Sequence, residues 1–159
     1  MKSFTVNLAF FIPFFSISQN IDPLRTKDDQ AQTHWVDSIY KTMSLEQKIG
    51  QLFMVQSFSS QSSKQNKPIK ELIEKHYIGG IIFSRGTPVA QAKLTNEFQR
   101  KSKIPLFIAM DAEWGLAMRL DSVYAFPWNM TLGALKDNSL VEQTGIRIAQ
   151  HCKRLGVHI

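Results

Sequence analysis

One cysteine, Cys152, is present in 159 residues, and a single thiol forms no internal disulfide. It lies in IAQHCKRLG, a helical text, and so reads as a packed, inert thiol rather than a nucleophile. No Lys/Arg block reaches five residues, although the formal net charge is +6 and the pI about 9.6. Charge spread this way argues for a solvated basic surface and against nucleic-acid binding. No glycine-rich phosphate loop follows an apolar run. Gly79-Gly80 precedes one, which excludes a dinucleotide fingerprint. His34, His76, His151 and His158 have no zinc-ligand spacing with one another or with Cys152. There is no G-x-S-x-G elbow. The longest apolar stretch, residues 4–17, is short and interrupted by Asn7 and Pro13, so a stable membrane span is not expected.

What is present fits one globular unit. Hydrophobic residues make up 43% of the chain and charged ones 20%, enough to build a core and a wet surface. Lys2 is the only charge before Asp22, residues 4–17 hold five phenylalanines, and Ser16-Ile17-Ser18 puts small residues where a signal peptidase reads. We expect residues 1–18 to be a secretory signal and the protein to be exported, periplasmic or secreted. No cysteine follows, so a lipid anchor is not expected. Residues 19–34 read as a polar leader with little to bury.

Beyond the leader, apolar runs alternate with helical text. Trp35, Ile39 and Met43 share a helical spacing, and Ser44 with Gln47 forms a capping box before a second, short helix. LFMVQSF (52–58), IGGIIFS (78–84) and IPLFIAMD (104–111) have strand length and apolar content, and GVHI (156–159) begins another such run. Between them, helices are expected at residues 69–77, 88–102 and 139–155, the long loop before the last one carrying AFPWNMTLGAL. Near-continuous apolar strands are the mark of a parallel α/β sheet buried on both faces. A doubly wound sheet and an eightfold barrel both fit this pattern, and both place function at the carboxyl ends of the strands.

Three features land there: Gln56-Ser57, Ser84-Arg85-Gly86, and Asp111 with its loop. An aspartate that ends an apolar strand needs partners, because a buried, unpaired carboxylate is costly. Asp111 is suited to accepting hydrogen bonds from sugar hydroxyls. Arg119, eight positions on, offers a planar set of donors, and Trp114 an aromatic face for stacking. The residues alone allow an equal alternative: Asp111 caps the turn, Arg119 pairs with it or with Asp121, and Trp114 is core.

The stretches MSLEQKIGQLFM, IGGIIFSRG, PLFIAMDAEWG through Arg119, FPWNMTLGA and CKRLGVHI resemble glycoside hydrolase family 3. The likeness runs over about residues 35–159, which we take as one domain portion, and is greatest to the family's single-barrel β-N-acetylhexosaminidases. It implies the N-terminal part of a (β/α)8 barrel, incomplete in this chain. It also implies a carbohydrate substrate, and no cofactor or metal. Asp111 would hydrogen-bond the sugar, and Arg119 would line the same subsite. Family glucosidases share the aspartate but usually lack the arginine, so Arg119 favours the N-acetylglucosaminidase branch over a β-glucosidase. Many members read Asp-Gln-Glu-Gly-Gly where this chain reads Asp111-Ala112-Glu113-Trp114-Gly115, and the indole makes this loop bulkier.

Retaining glycoside hydrolysis takes a nucleophilic carboxylate and an acid/base about 5 Å away. In the resembled family the nucleophile is an aspartate on a late strand, and the acid/base a histidine paired with an aspartate on a mid-barrel loop. Both match positions beyond Ile159, so no catalytic residue is expected here, and Glu113 is not a substitute. About 140 residues follow the signal, against roughly 250 for a whole barrel. The expectation is therefore a fragment of a longer exo-glycosidase; a non-catalytic sugar-binding module and an inactive product are the alternatives.

Overall fold

The computed structural model describes residues 28–159, so the expected signal and the leader up to residue 27 lie outside the described residues. Contacts divide the chain after Ile39. In the first unit, helix α1 (Asp29–Tyr40) starts inside the stretch read as leader. The cause is local: the Asp28 carboxylate accepts a hydrogen bond from the Ala31 N–H at 2.8 Å, capping a segment too polar to announce itself by apolar spacing.

The second unit is the α/β body. Its elements run α2 (Leu45–Gly50), β1 (Met54–Phe58), α3 (Lys67–His76), β2 (Gly80–Arg85), α4 (Pro88–Lys101), β3 (Phe107–Ala109), a 3-10 turn (Leu116–Met118), α5 (Asn129–Gly133) and α6 (Asn138–Arg154). The capping box at α2 forms in both directions. Ser44 accepts from the Gln47 N–H at 3.3 Å, and the Ser44 N–H donates to Gln47 Oε1 at 3.0 Å. Pro68 and Pro88 sit in the first turns of α3 and α4, where a missing N–H costs nothing. Thr87 caps α4 by accepting from the Ala90 N–H at 3.4 Å.

The three strands lie in the order β1-β2-β3, all parallel. Alternation sends Ser57, Ile81, Phe83 and Ile108 to one face, where they are fully buried. Ile69 and Ile73 of α3 and Leu94 and Phe98 of α4 join them in one core, with the Phe83 and Phe98 rings stacked 6.5 Å apart. The other face carries Met54, Gln56 and Phe107, all exposed, with Ile82 half-buried and Ala109 buried between them. Expected burial on both faces is thus met in full on one only: among the described residues, the helical core residues pack on a single side of the sheet.

Two local differences have physical reasons. α5 falls within the stretch read as a loop; its five residues are too few to show a period. GVHI does not form a regular strand, yet it lies along β3: the His158 N–H donates to the Ile108 carbonyl at 2.7 Å and the Met110 N–H to the Ile159 carbonyl at 3.0 Å. The His158 imidazole interrupts the ladder, because its Nδ1 accepts the Ile108 N–H at 3.0 Å in place of a backbone carbonyl. Among the described residues no helix is long and apolar enough to cross a membrane.

Candidate functional site

The carboxyl ends of the strands converge on one polar corner. Gln56 of β1 and Ser84 of β2 share the uncovered face, and Gln56 Nε2 donates to Ser84 Oγ at 2.8 Å. A register shift between Ser57 and Phe58 sets Phe58 opposite Arg85. The chain beyond β2 is then fixed from two sides. The Ser59 N–H donates to the Arg85 carbonyl at 2.8 Å, and the Asp121 N–H to the Gly86 carbonyl at 2.8 Å. Gly86 and Leu120 form an isolated parallel bridge. Only glycine fits this crossing: Gly86 has φ +134°, and a Cβ there would lie 1.8 Å from Ser59 Oγ.

That bridge positions Arg119. After β3 the chain leaves at Asp111, tightens through the 3-10 turn, and buries Leu116 and Leu120. Between those two anchors, Arg119 turns back on the strand end. Its Nε donates to the Asp111 carbonyl oxygen at 3.0 Å and its Nη2 pairs with Asp111 Oδ2. The aspartate and arginine singled out by spacing are therefore brought together. The pairing is the one that the turn-cap alternative calls for, and it also leaves Asp111 Oδ1 and Arg119 Nη1 without a partner among the described residues.

Arg119 lines a cavity of about 470 Å³ together with Gln56, Phe58, Ser84 and Arg85. Asp111 does not line this space itself and is tied to it by its pairing with Arg119. Trp114 is placed elsewhere: half-buried, it tilts against Trp128 with ring centroids 6.2 Å apart. Glu113 is exposed, with no hydrogen bond or ion pair among the described residues. Gln56, Ser84 and Arg85 were visible in the sequence as strand-end residues but carried no role there. Their signal was position alone, since the carboxyl end of a parallel strand is where ligands bind. Cys152 packs against the core, and burial pushes its thiol up, as suits an inert cysteine. Among the described residues no three His, Cys, Asp or Glu side chains gather as a metal site.

Residues 44–159 match the glycosyl hydrolase family 3 N terminal domain. The chain belongs to this family. Among solved structures it is similar to "Beta-glucoside phosphorylase BglX bound to 2FGlc", at 23% identity and a TM-score of 0.71, covering 80% of this chain and 23% of that one. A second structure, "Beta-glucoside phosphorylase BglX", aligns at 22% identity and a TM-score of 0.66, covering 81% of this chain and 22% of its own. The family 3 chain described here thus spans under a quarter of those structures. At such identity the likeness speaks to the fold: the three parallel strands and their helices are the N-terminal part of a (β/α)8 barrel. No curated protein matches significantly.

Proposed function

We propose that this chain supplies the sugar-holding corner of a retaining exo-β-N-acetylglucosaminidase of family 3, acting on a terminal β-linked N-acetylglucosamine. The observation that supports this reading is the Asp111–Arg119 pair at the end of β3, beside the strand-end cavity. Asp111 Oδ1 is an acceptor for sugar hydroxyls, and Arg119 Nη1 a donor for a carbonyl such as that of an acetamido group. Such contacts strengthen as the sugar ring distorts toward an oxocarbenium ion. The cleaving groups, a carboxylate nucleophile and an acid/base, belong to other parts of the longer protein. The chain by itself then holds a sugar without cutting it.

A β-glucoside substrate is the second reading, favoured by both solved neighbours being β-glucoside phosphorylases. Titrating the 159-residue chain with N-acetylglucosamine and with glucose, followed by amide shifts in two-dimensional NMR, separates them. The first reading expects N-acetylglucosamine to perturb residues around Asp111 and Arg119 more tightly than glucose does. Arg119→Ala should erase the preference, weakening the acetamido sugar by ~10-fold. Tighter glucose binding favours the second reading, and no binding by either sugar removes both. On a chromogenic β-N-acetylglucosaminide the chain should show no turnover; measurable release there would overturn the division of labour.

We also propose export, on the text of residues 1–18. N-terminal sequencing of the protein recovered from its source should begin near residue 19, and an intact Met1 in exported material would contradict it.

A further inference from the structure

We infer that Arg85 makes the rim of the sugar corner an oxyanion-recognising position, taking a carboxylate or phosphate group beside the sugar. The inference rests on the sugar-holding reading only for what sits next to it.

The first support is charge. Arg85 and Arg119 line the same cavity, whose other lining groups are Gln56, Phe58, Ser60, Gln61 and Ser84, with no carboxylate. Arg119 is offset by Asp111, whose carboxylate and carbonyl take two of its donors. No side-chain hydrogen bond or ion pair to Arg85 is found among the described residues. Arg85 is exposed, so its charge stands at the rim of this space with no carboxylate paired to it among the described residues. A guanidinium presents a fork of N–H donors that matches the two oxygens of a carboxylate or phosphate.

The second support is rigidity. The Arg85 backbone is held on one side by the Ser59 N–H at 2.8 Å, and the next residue, Gly86, by the Asp121 N–H at 2.8 Å. The Cα thus starts from a fixed position, so no backbone ordering is added to the side-chain cost of closing on a ligand. The third support is the neighbours. Ser84 Oγ already accepts from Gln56 Nε2, so its own hydrogen is free to point to an incoming oxygen. Ser60 adds a second hydroxyl in the lining.

Two sources carry this chemistry: a free oxyanion that meets the sugar in the site, or an acidic substituent on the substrate itself. The test is a titration of the 159-residue chain with inorganic phosphate, N-acetylglucosamine 6-phosphate and N-acetylglucosamine. It follows the Arg Nε–Hε resonances by NMR, with chloride and ionic strength held constant. A saturable shift of Arg85 with inorganic phosphate is expected. Arg85→Gln should weaken it by ~10-fold or more, while Lys93→Gln, an exchange on the outer side of α4, should not. Equal affinity for inorganic phosphate and the sugar phosphate assigns a free oxyanion. A sugar phosphate that binds ~10-fold tighter than either component assigns a substituent.

The proposal is overturned if inorganic phosphate and the sugar phosphate both leave Arg85 unshifted, or if Arg85→Gln binds them as the parent does. Failure of the sugar-holding reading looks different. N-acetylglucosamine then gives no shift and Asp111→Ala changes nothing, while the phosphate titration of Arg85 still stands or falls by itself.

Discussion

The Asp111 and Arg119 side chains remain 44% and 29% exposed, so water and salt screen their attraction. Replacing Asp111 with asparagine should therefore shift stability by less than ~1 kcal/mol, as read from urea midpoints. Sugar binding should suffer far more than stability, because the amide loses the acceptor charge that a hydroxyl meets. A variant that unfolds early yet binds sugar normally would make the pair structural and not functional. Gly86 is the opposite case. With φ at +134° and Ser59 Oγ where a Cβ would be, Gly86→Ala should cost ~2 kcal/mol or more in urea unfolding. A loss below ~0.5 kcal/mol would show that the crossing with Leu120 relaxes easily. Asp111 and Arg119 were legible as single letters because a charged residue closing an apolar strand is conspicuous. Trp114 was legible in its chemistry and not in its place: an indole suits a sugar face, but only the fold shows that it tilts against Trp128 and lies outside the cavity that Arg119 lines.

Elements were legible where they carried their own ends. The Ser44 capping box, the helix that begins at residue 88 and the three apolar strands are all local, and each forms, the strands covering less than the apolar runs that announced them. Ser44→Ala removes one half of a reciprocal cap and should lower stability by ~1 kcal/mol, visible as a drop in thermal midpoint. An unchanged midpoint would mean α2 is held by packing alone. α6 has a different cap. The hydrogen bonds from Ser139, its side chain first and then its backbone, hold the Asp137 carboxyl below its ordinary value. A carboxyl lowered in the folded state stabilises above the unfolded pKa, and that help disappears as pH falls through the folded value. Amide protection factors at Ser139 and Leu140, taken relative to intrinsic exchange at each pH, should therefore fall on acidification, and Asp137→Asn should flatten that dependence. Illegible elements were those decided at a distance. GVHI has the text of a strand, but whether its ladder is regular depends on an imidazole meeting Ile108, fifty residues away.

At the scale of the molecule, a sheet covered on one side presents Met54 and Phe107 to solvent, 40% and 58% exposed. Apolar text buried on two faces and on one face is the same text, so the sequence showed the strands but not what covers them. Such a surface invites association. The isolated chain should bind a hydrophobic dye and scatter light increasingly with concentration, and Phe107→Lys should reduce both. A monomer that stays dye-silent at high concentration would show that this face is protected by other means.

The corner has one more property, and it concerns time. Gln56 meets Ser84, Gly86 meets Leu120, and Asp111 meets Arg119, so each link closes within a short span of chain. Short closures are entropically mild, and chains fold from the N-terminus as they are made. Nothing in these links requires a residue later than Asp121. The strand that leads to Asp111 is nonetheless braced from later in the chain, by the His158 N–H on the Ile108 carbonyl and by the Met110 N–H on the Ile159 carbonyl, so during synthesis the corner's links can close first and β3 gains this edge afterwards.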